Sequence, residues 1–453
     1  MSPLGLLVVA LVIVIGGVLV LRLHPFVVLI TAAFAVALLA PRLPGGELSA
    51  GEIVAQGFGK TTLDVGIVIA LASILGACLA AAGGARRIVA SIQRGVGERN
   101  TPLALLLAGF VLGIPMFAET VFYLLLPLAR AAWERTGRGY LVCVLAIVAG
   151  GTMTHSLVPP TPGPLFVADA LGVDMATMIG VGLAVGLVAA LAGYAYARWA
   201  DARWPLDPQP AAADASAIPS AATTAPARLP PLWAALVPIV LPILLISLES
   251  AARAAPEAFP ATVRTVLGIV GEKNLALAGA ALVAAVLLVS MEQNLGSLRR
   301  TLAEAVAEAG SIILVIGAGG ALGATLRQAG LAELSAGFAG GSGFALIPVA
   351  WLVTALVRVA QGSATVAMIT AAGVMAPLVA QGDAAVHPVY VAIAIGCGSK
   401  VGMWMNDSGF WVVARMSGMS EAQTLRTTSA MVAIEGCVGL AATLALAAIW
   451  PGR

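Results

Sequence analysis

Residues 154–164 read THSLVPPTPGP, with apolar sequence over 139–153 before them and LFVADALG after them. Pro159, Pro160, Pro162, Gly163 and Pro164 cannot continue a helix, because proline lacks the backbone donor and its ring clashes with the preceding turn. A break inside an apolar segment leaves backbone N–H and C=O groups without partners. In a bilayer this survives only where the break is buried in protein or lines a wet cavity. The stretch therefore predicts a broken transmembrane helix, about 139–173, with a site at the break.

A second interruption of this kind, SKVGMWMNDSG, occupies 399–409 and predicts a broken helix over about 386–416. Two further segments are apolar yet doubled back. Residues 101–134 open on Thr101-Pro102 and carry IPMFAET in the middle, so each arm has only about 14 residues. A crossing needs about 20. Arg86, Arg87, Arg94 and Arg99 precede this segment and Arg130, Arg135 and Arg138 follow it, which predicts a re-entrant hairpin returning to one side. Its counterpart is 343–380, with the tip QGSAT at 361–365.

The two sets are related by a nearly constant offset. A shift of 247 lays ILGACLAAAG (74–83) over ALGATLRQAG (321–330), and a shift of 245 lays Glu119-Thr120-Val121 over Ala364-Thr365-Val366. A shift of 246 lays Gly150, Gly163 and Gly172 over Gly396, Gly409 and Gly418. The chain is accordingly read as two repeats, 1–204 and 231–453, each with five transmembrane spans (one broken) and one re-entrant hairpin. They are joined by a flexible cytoplasmic linker at 205–230, rich in proline, alanine and small polar residues. Five crossings is an odd number, so the second repeat is inverted. With the 84–100 loop cytoplasmic, 15 Lys and Arg fall on cytoplasmic segments against 7 on outer ones, which places both termini outside, in the periplasm. The MSPLGLLVV start has no basic region before its apolar run and is read as a retained span. Inverted repeats with broken helices at the midplane are the pattern of secondary transporters.

Composition agrees with a multi-pass membrane protein. Of 453 residues, 60% are hydrophobic and 10% charged, and the mean hydropathy is +1.00. Ordinary soluble domains carry about 25% charged residues. Clear spans are 4–22, 25–41, 63–83, 176–199, 231–248, 274–291, 309–330 and 428–450. A net charge of +2 excludes nucleic acid as the main partner, because phosphate neutralisation needs a basic face. The four cysteines lie in apolar runs without a C-x-x-C, and no metal, haem, nucleophile or phosphate motif of a membrane enzyme is present. No cofactor is expected.

Ionisable groups at membrane depth are costly and usually functional. Asp407, beside Asn406 and Ser408, either binds a proton or cation or caps the half-helix that follows. His155 suits a proton relay or is a satisfied core histidine. Thr161 and the N–H groups of Gly163 and Leu165 are expected to face the same pocket, where a half-helix start favours an anion. Arg358 either grips an organic carboxylate with its two-pronged guanidinium or pairs with a protein carboxylate. Lys400 stands in for a fixed cation, binds a substrate carboxylate, or pairs with Asp407. Glu119 is the coupling proton site or a partner of Arg358 or Lys400. Gln361, Gly362, Ser363 and Thr365 form a tip that lets backbone approach a ligand. Asp169 and Glu435 are read as polar contacts between helices.

THSLVPPTPGP, RVAQGSATVAM and NDSGFW resemble the signature segments of the gluconate permease (GntP) family of proton symporters, and the resemblance extends over most of the chain. It implies proton-coupled uptake of gluconate or a related sugar acid across the bacterial inner membrane. It further implies an elevator-type carrier within the ion transporter superfamily, with a homodimeric scaffold, and carries over Thr154, His155, Thr161, Gly163, Gln361, Gly362, Ser363, Thr365, Asn406, Asp407 and Ser408 as site residues. Thr161 departs from the histidine common in the family, and Lys400 and Trp404 from a smaller apolar residue and a histidine. A smaller acid, or one with a second carboxylate for Lys400, suits those changes. The rival readings are a sodium-coupled carboxylate carrier on the same fold and an anion channel.

Overall fold

A computed structural model describes residues 3–19, 21, 23–40, 49–97, 100–207, 229–329, 343–380, 386–405 and 407–451. Asn406 and most of the expected linker, 208–228, lie outside the described residues, as do the side chains of Gln361 and Ser408. Among the described residues the secondary structure is helical throughout, without strands.

The first half runs α1 (Pro3–Leu19), α2 (Pro25–Leu39), α3 (Ala50–Ala81), α4 (Gly84–Val96), α5 (Thr101–Leu112), α6 (Ala118–Thr136), α7 (Tyr140–Leu157), α8 (Pro162–Ala170) and α9 (Met175–Arg203). The second runs α10 (Leu232–Ala254), α11 (Ala261–Val270), α12 (Lys273–Glu292), α13 (Leu295–Gln328), α14 (Leu346–Gln361), α15 (Ala364–Val379), α16 (Pro388–Gly398) and α17 (Ser408–Ser417). A short turn, Glu421–Thr424, and a π-helical turn, Leu425–Ser429, then lead into α18 (Ala430–Ile449). Helix starts follow local chemistry: Ser49 and Glu52 close a capping box on α3, Asp174 accepts from Thr177 N at α9, and Glu272 accepts from Asn274 N and Leu275 N at α12.

Seven segments among the described residues are long and apolar enough to cross a bilayer. α3 begins at Ala50 and α13 at Leu295, well before the apolar runs at 63 and 309. The added turns, such as LGSLRRTLAEAVAEAG, are rich in strong helix formers, which extend a helix without adding hydropathy.

Burial orders these elements. The α7–α8 segment is 94% buried over its apolar window, whereas α10 is 28% buried. The broken helix is thus the centre of the bundle, and α10 is peripheral. Leu63, Trp233, Leu282 and Ile449 leave large apolar surfaces exposed at the periphery, as lipid-facing residues do. In each half the helix-turn-helix clamps the broken helix: α5 packs on α7, and α14 on α16. Small residues permit this. Gly150 of α7 sits directly on the Leu106 carbonyl of α5, and Gly398 of α16 on the Trp351 carbonyl of α14. The halves then interlock, with α3 on α13, α9 on α18, α8 on α15 and α6 on α17.

Candidate functional site

Four interruptions of regular helix converge. They are the turn between α5 and α6, the break between α7 and α8, the Gly362-Ser363 turn between α14 and α15, and the break between α16 and α17. Gly362 caps α14 at a φ of +75°, where glycine alone is unstrained, and the Ser363 hydroxyl accepts from Val366 N to start α15. Each tip meets the opposite break. A Cβ on Gly163, at the start of α8, would lie 3.8 Å from Thr365 Cα, and one on Gly409 in α17 would lie 3.7 Å from Glu119 Oε1.

Between them is a cavity of about 160 Å³. Its polar lining comes from Glu119 on α6, Thr152 and His155 on α7, the Gly362–Thr365 tip, and Ser399, Lys400 and Asp407 in the second break. Phe117, Phe122, Ile147 and Met403 supply apolar wall. Convergent polar groups in a largely apolar concavity are the usual form of a small-molecule site.

The buried charges are distributed unequally. Arg358 and Asp407, 4% and 6% exposed, form an ion pair, and Arg358 also donates to the Gly362 carbonyl. Asp407 further accepts from Gly409 N at 2.5 Å and Phe410 N at 3.2 Å, so it caps α17 as well. Arg358 thus makes the protein ion pair, and it also lines the cavity. Lys400 is also buried, and its Nζ donates to the Thr152 carbonyl at 2.6 Å across the cavity wall. It makes no ion pair with Asp407 or any other carboxylate among the described residues. A lysine ammonium has three donors, so two remain for a ligand. His155 is 8% exposed, its ring lies 5.6 Å from that of Phe117, and Nδ1 has no hydrogen-bond partner among the described residues.

Three residues expected to bind a ligand are elsewhere. Thr154 packs against Gly113 of the first turn and donates to the Gly150 carbonyl at 3.3 Å. Thr161 donates to the Val158 carbonyl at 2.7 Å and borders a separate small gap with Ser73 and Met116. Gly163 is covered by Met368 and lets α8 approach α15. The physical reason is in the first turn of α8: Pro162 and Pro164 have no N–H, and Leu165 N is spent on the Thr161 carbonyl at 3.1 Å. No cluster of donors is left for an anion. Trp404 also stays off the cavity, tying the second break to α14 through Val359 O at 3.0 Å.

Thr152 and Ser399 line the cavity without having been singled out in the sequence. Thr152 lies three residues before His155, hence on the same helix face, and that spacing was a readable signal. Asp169 lies 3.7 Å from Lys273, an ion pair between helices at the periphery.

Residues 2–449 match the family model described as GntP family permease. A gluconate permease of Pseudomonas aeruginosa is 32% identical over 94% of this chain and 94% of its own. The D-serine transporter DsdX of Escherichia coli is 30% identical, again over 94% of both chains. The crystal structure of the Alcanivorax borkumensis YdaH transporter superposes with a TM-score of 0.60 at 14% identity, covering 94% of this chain and 98% of that one, a likeness of fold alone. With its apolar spans, its interrupted helices and this family match over nearly all its length, the chain belongs to the GntP family of permeases and is a multi-pass membrane transporter, not an enzyme.

Proposed function

We propose that this permease imports a small hydroxylated carboxylate, gluconate or a related sugar acid, by proton symport. The observation that carries the reading is Lys400: a buried ammonium on the cavity wall with no ion-paired carboxylate among the described residues, beside a tip of hydroxyls and backbone. Lys400 Nζ takes the substrate carboxylate. Ser363 and Thr365, with the backbone of the Gly362–Thr365 tip, take substrate hydroxyls, and Glu119 and His155 accept from or donate to them on the opposite wall. Gln361, Asn406 and Ser408 belong to the same two segments and remain candidates on that ground. Arg358 and Asp407 hold the second tip against the second break. Sodium coupling is disfavoured because Lys400 already supplies a fixed cation at the break.

The repeated element order, α3, α5–α6, α7–α8, α9 against α13, α14–α15, α16–α17, α18, supports two inverted repeats joined by a cytoplasmic linker. So does the matched pairing of Gly163 with Thr365 and Gly409 with Glu119. In this reading the hairpins are re-entrant, and they move with the broken helices as one elevator body against a homodimeric scaffold. The protein sits in the bacterial inner membrane with both termini outside.

The test is uptake of radiolabelled D-gluconate and D-serine into proteoliposomes under an acid-outside pH gradient, a sodium gradient, or neither. Accumulation of either compound with the pH gradient alone supports the reading. Accumulation with sodium alone, or flux without saturation or counterflow, overturns it in favour of a sodium carrier or a channel.

A further inference from the structure

Glu435 of α18 is fully buried, and both of its carboxylate oxygens lack a hydrogen-bond partner among the described residues. Its Oε1 rests on Gly193 of α9, where there is no side chain to donate. The hydroxyl of Thr152 is beside the carboxylate, yet it too has no partner meeting hydrogen-bond geometry. Lys400, its Nζ donating to the Thr152 carbonyl, makes no ion pair with Glu435 among the described residues. Its Cβ would lie 3.1 Å from a Cβ on Gly436, the residue next to Glu435. Val432, one turn earlier on α18, lines the cavity itself. Glu435 is therefore one layer behind the cavity wall, and Lys400 and Thr152 form the partition.

We propose that Glu435 carries the coupling proton and that Lys400, shared between Glu435 and the substrate carboxylate, is the coupling element. The proposal rests on the carboxylate reading above. With the cavity empty, the Lys400 ammonium, which makes no ion pair with Glu435, offsets part of that carboxylate's charge across the partition. A bound substrate carboxylate takes the ammonium. Glu435, which already has no donor among the described residues, is then a buried anion without a compensating charge, which costs several kcal/mol. Taking up one proton on its carboxylate removes that cost, so one proton enters with each substrate. Release of the substrate restores the Lys400 charge beside Glu435, and the proton leaves.

Glu119 and His155 line the cavity itself, whereas Glu435 is behind it. Asp407 is held by Arg358 and by two backbone donors. Among the elements packed on α18, α16 and its break bring Cys397 and Lys400, α7 brings Thr152, α14 brings Trp351, whose Nε1 donates to the Gly436 carbonyl, and α9 brings Gly193; His155 and Arg358 line the cavity, and Arg426 of the π-helical turn lies over Trp204. Coupling of this kind is a difference in proton affinity between liganded and empty states, which a shared counter-ion supplies directly.

Two measurements test it. Infrared spectra of purified K400M and K400M/E435Q need no substrate. The single variant is expected to show a protonated-carboxyl C=O band that the double variant lacks, and its absence overturns the proposal; K400Q substitutes if K400M does not fold. In proteoliposomes with D-gluconate, E435Q is expected to lose accumulation under the pH gradient far more than counterflow. Accumulation at the wild-type level overturns the proposal. If the wild type moves neither D-gluconate nor D-serine, the substrate class fails, and the infrared comparison still decides Glu435.

Discussion

The Arg358 guanidinium is paired with the Asp407 carboxylate, joining the second hairpin to the second break across 49 residues of sequence. Because both groups are buried, removing one leaves the other as an uncompensated charge. R358M and D407A are each expected to lose about 3–5 kcal/mol. The R358M/D407A double variant is expected to recover part of that loss. Thermal melting of the purified variants in detergent measures all three, and additive losses would show that the pair is not coupled.

Lys400 has a different prediction because it is not locked in an ion pair. K400M is expected to weaken D-gluconate binding by about 2–5 kcal/mol, the usual cost of truncating a buried charged hydrogen-bond partner. K400R is not expected to restore binding, since a planar fork cannot reproduce a compact ammonium in the same space. Equilibrium binding or counterflow reads the effect. Binding within twofold of wild type would remove Lys400 from the substrate site.

Glu119 is the carboxylate facing the cavity from the opposite side. E119Q is therefore expected to impair D-serine, which carries an ammonium group, more than D-gluconate, which does not. Competition of the two compounds for uptake by wild type and E119Q reads that ratio. An unchanged ratio would show that Glu119 does not touch the part of the ligand in which they differ.

Thr161 gives a prediction opposite to the one its sequence context invites. Its hydroxyl is used by the Val158 carbonyl at 2.7 Å and does not line the cavity. T161A is expected to cost about 1 kcal/mol of stability, the typical net worth of one hydrogen bond. Its KM for the transported acid should stay close to that of wild type. A large rise in KM without a change in melting temperature would return Thr161 to the site.

Gly150 tests the clamp between hairpin and broken helix. Its Cα lies directly against the α5 backbone at Leu106 and Phe110. G150V is expected to destabilise the protein by about 1–3 kcal/mol, as overpacking does. Because the obstructing atoms are backbone, the cost should not be relieved by shortening Leu106. Melting of G150V and G150V/L106A distinguishes these outcomes.

The membrane class, the two helix breaks and the two short doubled-back segments were legible in the sequence. Each is dictated locally: hydropathy by composition, the break at 158–161 by proline's missing donor, the tip at 362–363 by residues too small and polar to continue a helix. His155, Lys400 and Asp407 were found in the same way, since an ionisable group beside a break is visible without knowing its neighbours. The first half-helix start at Pro162 misled, because the general attraction of helix N-termini for anions presumes N–H groups that two prolines remove.

Which charges meet was decided only by the tertiary structure. Arg358 was as good a ligand for a substrate as for a protein carboxylate until the packing of α14 against the second break gave it Asp407. Lys400 reaches a carbonyl 248 residues away, and Glu435 gained its place behind the cavity because α9 presents Gly193 there. The reason is physical: helix formation and burial follow from near neighbours along the chain. The pairing of a buried charge depends on distant helices packed against it, and the desolvation cost that makes the pairing matter exists only once they are in place.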